Sequence, residues 1–259
     1  MKNDLLTIGQ FTVHGYGLMI AIAIIAAYLS VEYRAKKKNL RPELIFNLTI
    51  WCAIGGILGA KLLYIITQIK NILADPKILL NISEGFVVYG GILGGILAGF
   101  LFCRKHKMPF LKYFDLVMPS IALAQGFGRI GCLLAGCCYG AETNSSFSLV
   151  FHHSDFAPRD IHLIPTQPIS SALNFLNFFV LVFLSKYVKV DGQIGGFYLV
   201  FYSVGRFIIE FFRGDLERGS IAGLSTSQFI SVFLFLIGIT IIVITGLGAK
   251  KSAKKEERK

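Results

Sequence analysis

The chain has 259 residues, 54% of them hydrophobic and only 16% charged, with a mean hydropathy of +0.64. That composition excludes an ordinary soluble domain and leaves room for several membrane spans of about 20 residues. A formal charge of +11 does not imply nucleic acid, because the Lys and Arg residues are gathered in short hydrophilic connections rather than along one face.

The polar start "MKNDLLTIGQ" runs into an apolar stretch with no small-residue cleavage site, so the first span is expected to be retained. Apolar segments at 14–32, 43–68, 86–103, 114–138, 168–186, 193–212 and 225–247 predict an all-α integral membrane protein with seven transmembrane helices. The stretches "RAKKKNLR" (34–41), "CRKHKMPFLK" (103–112), "KYVK" (186–189) and the tail "KKSAKKEERK" hold most of the 26 Lys and Arg residues and fall on alternate connections. Positive charge stays inside, which places the N-terminus outside and the C-terminus in the cytoplasm. The connections 70–85, 139–167 and 213–220 then face out. Pro158, Pro165 and Pro168 break any continuous helix in the longest of them, which is expected to form a small extracytoplasmic cap. The domain reading is one seven-helix domain, 1–247, with the cap at about 139–167, followed by a basic cytoplasmic tail, 248–259.

In "YGGILGGILAG" the residues Gly91, Gly95 and Gly99 form one helical stripe and Gly90, Gly94 and Ala98 its neighbour, while Gly55 and Gly59 repeat the spacing on the second span. Small residues at i, i+4 let helix backbones approach closely in lipid. A second reading is that Gly90 and Gly91 leave room for a headgroup beside Tyr89.

Lys61, Arg129, Arg206 and Glu210 lie in or near the ends of apolar spans. An ionised side chain at the bilayer centre costs about 2.5–3.5 kcal/mol on insertion scales, so each requires a partner or a wet cavity. Arg206, Glu210 and Arg213 share one helix face through i, i+4 and i, i+3 spacing. They read either as a salt-bridge ladder pinning two helices, or as an anion site open to the outer leaflet in which Glu210 holds the arginines. A phosphodiester is the anion a membrane offers in quantity, and the planar guanidinium binds phosphate oxygens bidentately.

Cys132, Cys137 and Cys138 are expected to be small buried residues that allow close packing; a disulfide or a covalent lipid relay are the alternatives. With no paired Cys-x-x-Cys, and with His152, His153 and His162 at no ligand-like spacing, no metal site is expected. Cys52 and Cys103 have no companion motif. His14, beside Tyr16 at the outer mouth, is a candidate for a lipid phosphate or for a local hydrogen bond.

The stretches "HGYGLM" (14–19), "FDLVMPSIALAQGFGRIG" (114–131), "PTQ" (165–167) and "GGFYLVFYSVGRFIIEFFRGD" (195–215) resemble the prolipoprotein diacylglyceryl transferase family. The resemblance extends to "LSTSQ" (224–228) and implies seven spans, an outward N-terminus, an extracytoplasmic cap and a place in the bacterial inner membrane. It implies transfer of the diacylglyceryl group from phosphatidylglycerol to the lipobox cysteine thiol of a preprolipoprotein signal peptide, with no cofactor and no nucleic acid. Arg129 matches the signature arginine, and Tyr16, Tyr202, Arg206, Glu210 and Arg213 match other recurrent polar positions. The family's His-Gly-Gly-Leu is here Tyr89-Gly90-Gly91-Ile92, its Gly-Asn after the arginine is Gly131-Cys132, a typically acidic position is Cys137, and the Leu-Tyr-Glu after "PTQ" is Pro168-Ile169-Ser170. The expected catalytic set is Arg129, Arg206, Tyr89 and Glu210, with Tyr16, His14, Gly90, Gly91, Tyr202 and Arg213 binding substrate. The alternatives are a phospholipid-dependent enzyme with another acceptor, and a non-enzymatic lipid-binding or transport protein.

Overall fold

The structure, a computed structural model, describes residues 4–8, 11–75, 85–154, 156–215, 219–221 and 223–256. Much of the predicted outer connection 70–85, part of 213–220 and the end of the basic tail lie outside these residues.

The chain opens with an antiparallel pair, β1 (Asp4–Ile8) and β2 (Phe11–His14), and continues into α1 (Gly15–Lys37). α2 (Glu43–Thr67), a short α3 (Ile69–Ala74), α4 (Val88–Lys105) and α5 (Phe110–Ala135) follow. Beyond β3 (Leu149–Val150) and β4 (His162–Leu163) come α6 (Thr166–Leu184), α7 (Gln193–Glu210), the pair β5 (Ser220–Ile221) and β6 (Leu224–Ser225), and α8 (Thr226–Glu256). Among the described residues six helices, α1, α2, α4, α5, α6 and α8, are long and apolar enough to cross a membrane. α7 falls outside that set because its 18 residues include Gln193, Arg206 and Glu210. The predicted span at 114–138 is shortened at its end: α5 stops at Ala135, so Cys137 and Cys138 belong to the following turn.

The chain divides into two compact units, 1–31 with 114–259 and 32–113. In the second, α2 and α4 pack along one of the predicted glycine stripes. A methyl group on Gly59 would clash with the Gly90 carbonyl oxygen, and one on Gly55 with Ala98 Cβ. The stripe of Gly91, Gly95 and Gly99 is looser, with nearest approaches of 3.2–3.5 Å.

In the first unit, α5 and α6 are joined where Ser171 Oγ donates to the Gly126 carbonyl at 2.9 Å. Ala122, Leu181, Ile194 and Tyr198 form an apolar core between α5, α6 and α7. The buried Asp115 carboxylate of α5 accepts from the backbone N–H groups of Gly192 and Gly195, each at 2.7 Å, and so caps the positive N-terminal end of α7 from a neighbouring helix. That cap fixes the position of α7 against α5. α8 closes on α7 through glycine, since a methyl group on Gly238 would meet the Gly196 carbonyl oxygen at 2.9 Å.

The segment from α5 to α6 folds on its own small core of Phe151, Ala157 and Leu163, against which Leu133, Tyr139 and Ile161 pack. Pro168, expected to interrupt helix, sits in the first turn of α6, where its missing N–H has no intrahelical acceptor to lose.

Candidate active site

α5, α6 and α7 enclose a cavity whose polar lining is Arg129, Ser170, Asn174, Asn177, Tyr202 and Arg206, with Leu173, Phe201 and Ile209 as its apolar walls. The two guanidiniums come from different helices. Arg129 is half-buried, and among the described residues it has no ion pair and no hydrogen bond. A half-buried, permanently charged group in an apolar span needs water or an anion from the cavity.

Arg206 is held in place. Its Nη1 lies 2.6 Å from Glu210 Oε2, and its Nη2 donates to Ser227 Oγ at 2.6 Å. The side chains of Arg206 and Glu210 are only 11% and 8% exposed. The contact between Nη1 and Oε2 is an ion pair without the alignment of a hydrogen bond, so Nη1 keeps an unused donor direction. Ser225 Oγ donates to Glu210 Oε1 at 2.9 Å, which fixes the carboxylate from the β6–α8 junction. Arg213 lies 3.9 Å from the same carboxylate but makes its close pair with Asp215, donating from Nε at 2.8 Å and Nη2 at 2.6 Å. Burial opposes the charge on Arg213, yet the hydrogen bonds to Asp215 outweigh it and raise its pKa above the ordinary arginine value. The i, i+4 and i, i+3 ladder is therefore present, anchored by two serines and an aspartate. Asp215, Ser225 and Ser227 lie in the matched motifs, but nothing in their spacing assigns them to this ladder.

Tyr202 lines the cavity and stacks on Tyr198, ring centroids 5.7 Å apart, while the Tyr198 hydroxyl donates to Gln125 Oε1 at 3.0 Å. Tyr16, exposed in the first turn of α1, faces Gly131: a methyl group there would sit 3.2 Å from Tyr16 Cδ2. His14 is exposed at the end of β2. Tyr89, 40% exposed, Gly90 and Gly91 form the first turn of α4, in the unit 32–113. Gly90 packs closely on α2, since a methyl group on it would clash with the Gly59 carbonyl oxygen. Lys61 lies over the rings of Phe86 and Tyr64 at 5.2 and 5.4 Å.

A family model described as prolipoprotein diacylglyceryl transferase matches residues 3–244. The chain belongs to that family. Among curated transferases it is similar to the phosphatidylglycerol-prolipoprotein diacylglyceryl transferase of Clostridium tetani (strain Massachusetts / E88), 49% identical over 244 residues that cover 94% of this chain and 98% of the relative. It is also similar to phosphatidylglycerol-prolipoprotein diacylglyceryl transferase 2 of Clostridium perfringens (strain 13 / Type A), 45% identical over 94% of this chain and 95% of the relative. The corresponding transferase of Staphylococcus carnosus (strain TM300) is 31% identical over 91% and 87%. In this transferase-family chain the motif "PTQ" serves the backbone: Thr166 Oγ1 donates to the Cys138 carbonyl at 3.1 Å and Gln167 Nε2 to the Cys137 carbonyl at 3.0 Å.

The residues missed in sequence were Ser170, Asn174 and Asn177, which the structure adds to the cavity wall. Their spacing of i, i+4, i+7 is a polar stripe on an otherwise apolar helix, a signal readable without coordinates. Asn177 Oδ1 is buried without a hydrogen-bond partner among the described residues, so the stripe presents unused polarity to the cavity.

Proposed function

We propose that the chain transfers the diacylglyceryl group of phosphatidylglycerol to the lipobox cysteine thiol of preprolipoproteins, the first step of bacterial lipoprotein maturation. The observation that carries the reading is the pair of guanidiniums, Arg129 and Arg206, on one polar-walled cavity among apolar helices. The acceptor sulfur attacks the glyceryl carbon bearing the phosphate, the S–C bond forms, the C–O bond breaks, and glycerol phosphate leaves. Negative charge grows on the departing phosphate oxygens, where preorganised donors act most strongly. Arg129, without an ion pair among the described residues, takes the phosphate; Arg206, fixed by Glu210 and Ser227, supplies the second donor. Glu210, with Oε1 accepting from Ser225 and Oε2 in the ion pair with Arg206, serves to position the arginines. Tyr202 contacts the lipid at the cavity wall, Tyr16 and His14 the headgroup near the entrance, and Arg213 steers the anion. Tyr89 contributes a hydroxyl to the ester, and the departing phosphate accepts the thiol proton.

The topology belongs to the same proposal: α7 is a seventh span whose charges face protein, the N-terminus lies outside and the C-terminus in the cytoplasm of the bacterial inner membrane, and the folded segment before α6 is an outward cap. Basic residues in the last turns of α1 (Arg34, Lys36, Lys37) and α4 (Arg104, Lys105) support that sidedness. The test is purified enzyme with phosphatidylglycerol and a lipobox peptide, followed by peptide mass. A diacylglyceryl increment that requires the peptide cysteine is expected; folded, lipid-binding protein that gives no increment refutes the assignment.

A further inference from the structure

Cys132, Cys137 and Cys138 converge at the end of α5, against the expectation of three separate packing residues. α5 terminates with Gly136 in the left-handed region, φ +78°. The Gly136 N–H donates to the Leu133 carbonyl at 3.3 Å and the Cys137 N–H to the Cys132 carbonyl at 3.1 Å. These two bonds define a Schellman cap, in which the side chains three positions before and two positions after the cap residue meet. Here both are cysteines.

The third sulfur needs a separate device. Cys138 also adopts positive φ, +59°, a conformation that costs a residue with a Cβ roughly 1–2 kcal/mol and that glycine or asparagine would accept more readily. The turn brings all three Sγ atoms within 4.8 Å of one another. The surrounding backbone is pinned: the carbonyls of Cys137 and Cys138 accept from the buried Gln167 and Thr166, and the next carbonyl, of Tyr139, accepts from the Gly214 N–H at 3.1 Å. The turn that carries the sulfurs is thus held by backbone carbonyl contacts.

We propose that Cys132, Cys137 and Cys138 bind one soft divalent cation of the zinc class through three thiolates, leaving its fourth position open. Zn–S bonds of about 2.3 Å at tetrahedral angles separate the sulfurs by about 3.8 Å, a spacing these side chains reach by small torsions. Thiolate ligands select soft cations over Mg²⁺ or Ca²⁺. Three thiolates on a dication leave one net negative charge, and the guanidiniums of Arg213 and Arg129 lie close enough to offset it. A disulfide uses sulfurs in pairs, whereas the strained Cys138 backbone brings a third to the same point. The site shares Arg129 and Arg213 with the proposed anion cavity, but its cobalt readout needs no transfer activity.

The test is titration of reduced, full-length protein in detergent with Co²⁺, followed by displacement with Zn²⁺. One equivalent with a thiolate-to-cobalt charge-transfer band, bleached by Zn²⁺ and unaffected by excess Mg²⁺, is the expected result. Cys138→Ser weakens binding by more than about 100-fold, while Cys52→Ser, outside the cluster, binds like wild type. If Cys138→Ser does not fold, Cys132→Ser gives the same comparison. Absence of the band in protein whose five thiols all react with an alkylating reagent overturns the proposal. So does air-oxidised protein carrying a disulfide within the cluster that Zn²⁺ does not prevent from forming.

Discussion

Replacing Glu210 with alanine removes the carboxylate on which two arginines converge. At 2.6 Å and an effective dielectric near 20, the attraction between Glu210 and Arg206 is about 6 kcal/mol before desolvation. Most of that repays the removal of both ions from water, but deleting one partner of a buried pair still costs about 3–5 kcal/mol because the other charge is left behind. Arg213 keeps Asp215 and is not orphaned, whereas Arg206 keeps, among the described residues, Ser227 alone. The expected result is a loss of about 3–5 kcal/mol for Glu210→Ala and roughly half that for Glu210→Gln, whose amide oxygen still accepts from Ser225. Equilibrium unfolding in mixed micelles measures both, and a double-mutant cycle with Arg206→Met isolates the pair. Transfer activity falls at least about tenfold in both variants because Arg206 is no longer aimed. A cost below about 1 kcal/mol for Glu210→Ala, with a coupling energy near zero, would refute the claim that this pair organises the site.

Arg129→Ala should behave in the opposite way, leaving stability within about 0.5 kcal/mol of wild type while lowering peptide lipidation about 10²–10³-fold; unfolding curves and initial rates separate the two. Gly59→Leu places a branched side chain where even a methyl group clashes with the Gly90 carbonyl oxygen, and should destabilise the α2–α4 pair by more than about 1–3 kcal/mol, read as lost thermal resistance. Asp115→Ala leaves two buried N–H groups at the start of α7 without an acceptor and should cost about 1–3 kcal/mol, with transfer falling in parallel because α7 carries Arg206. Tyr89→Phe, which removes a single hydroxyl, should slow transfer about tenfold, matching one hydrogen bond.

The long elements were legible because hydropathy sets them. The predicted span 43–68 corresponds to Glu43–Thr67, and 193–212 to Gln193–Glu210. The stripe of Gly90, Gly94 and Ala98 was readable as a packing surface because i, i+4 spacing fixes a helix face whatever lies opposite. The ladder Arg206, Glu210 and Arg213 was readable for the same reason. Partners from elsewhere in the chain were not. Ser225 and Ser227 reach the ladder from α8 and its preceding strand, and Asp115 reaches the start of α7 across more than seventy residues, so no local pattern announces either. The cysteine convergence was hidden because it depends on two consecutive unusual events after α5, the glycine cap and the left-handed Cys138, and the cap at Gly136 shortened a span read as continuous to 138. The role of "PTQ" in gripping that turn was likewise invisible, since a threonine and a glutamine carry no partner in their spelling.

The central claim is that Arg129 and Arg206 hold a lipid phosphate. It is tested most directly by measuring binding of phosphatidylglycerol, beside diacylglycerol without the phosphate, to wild type and Arg129→Ala in the same detergent. The account predicts that the substitution weakens phosphatidylglycerol at least about tenfold, the value of one charge-assisted hydrogen bond, and leaves diacylglycerol unchanged. Equal affinity of both proteins for phosphatidylglycerol would contradict it.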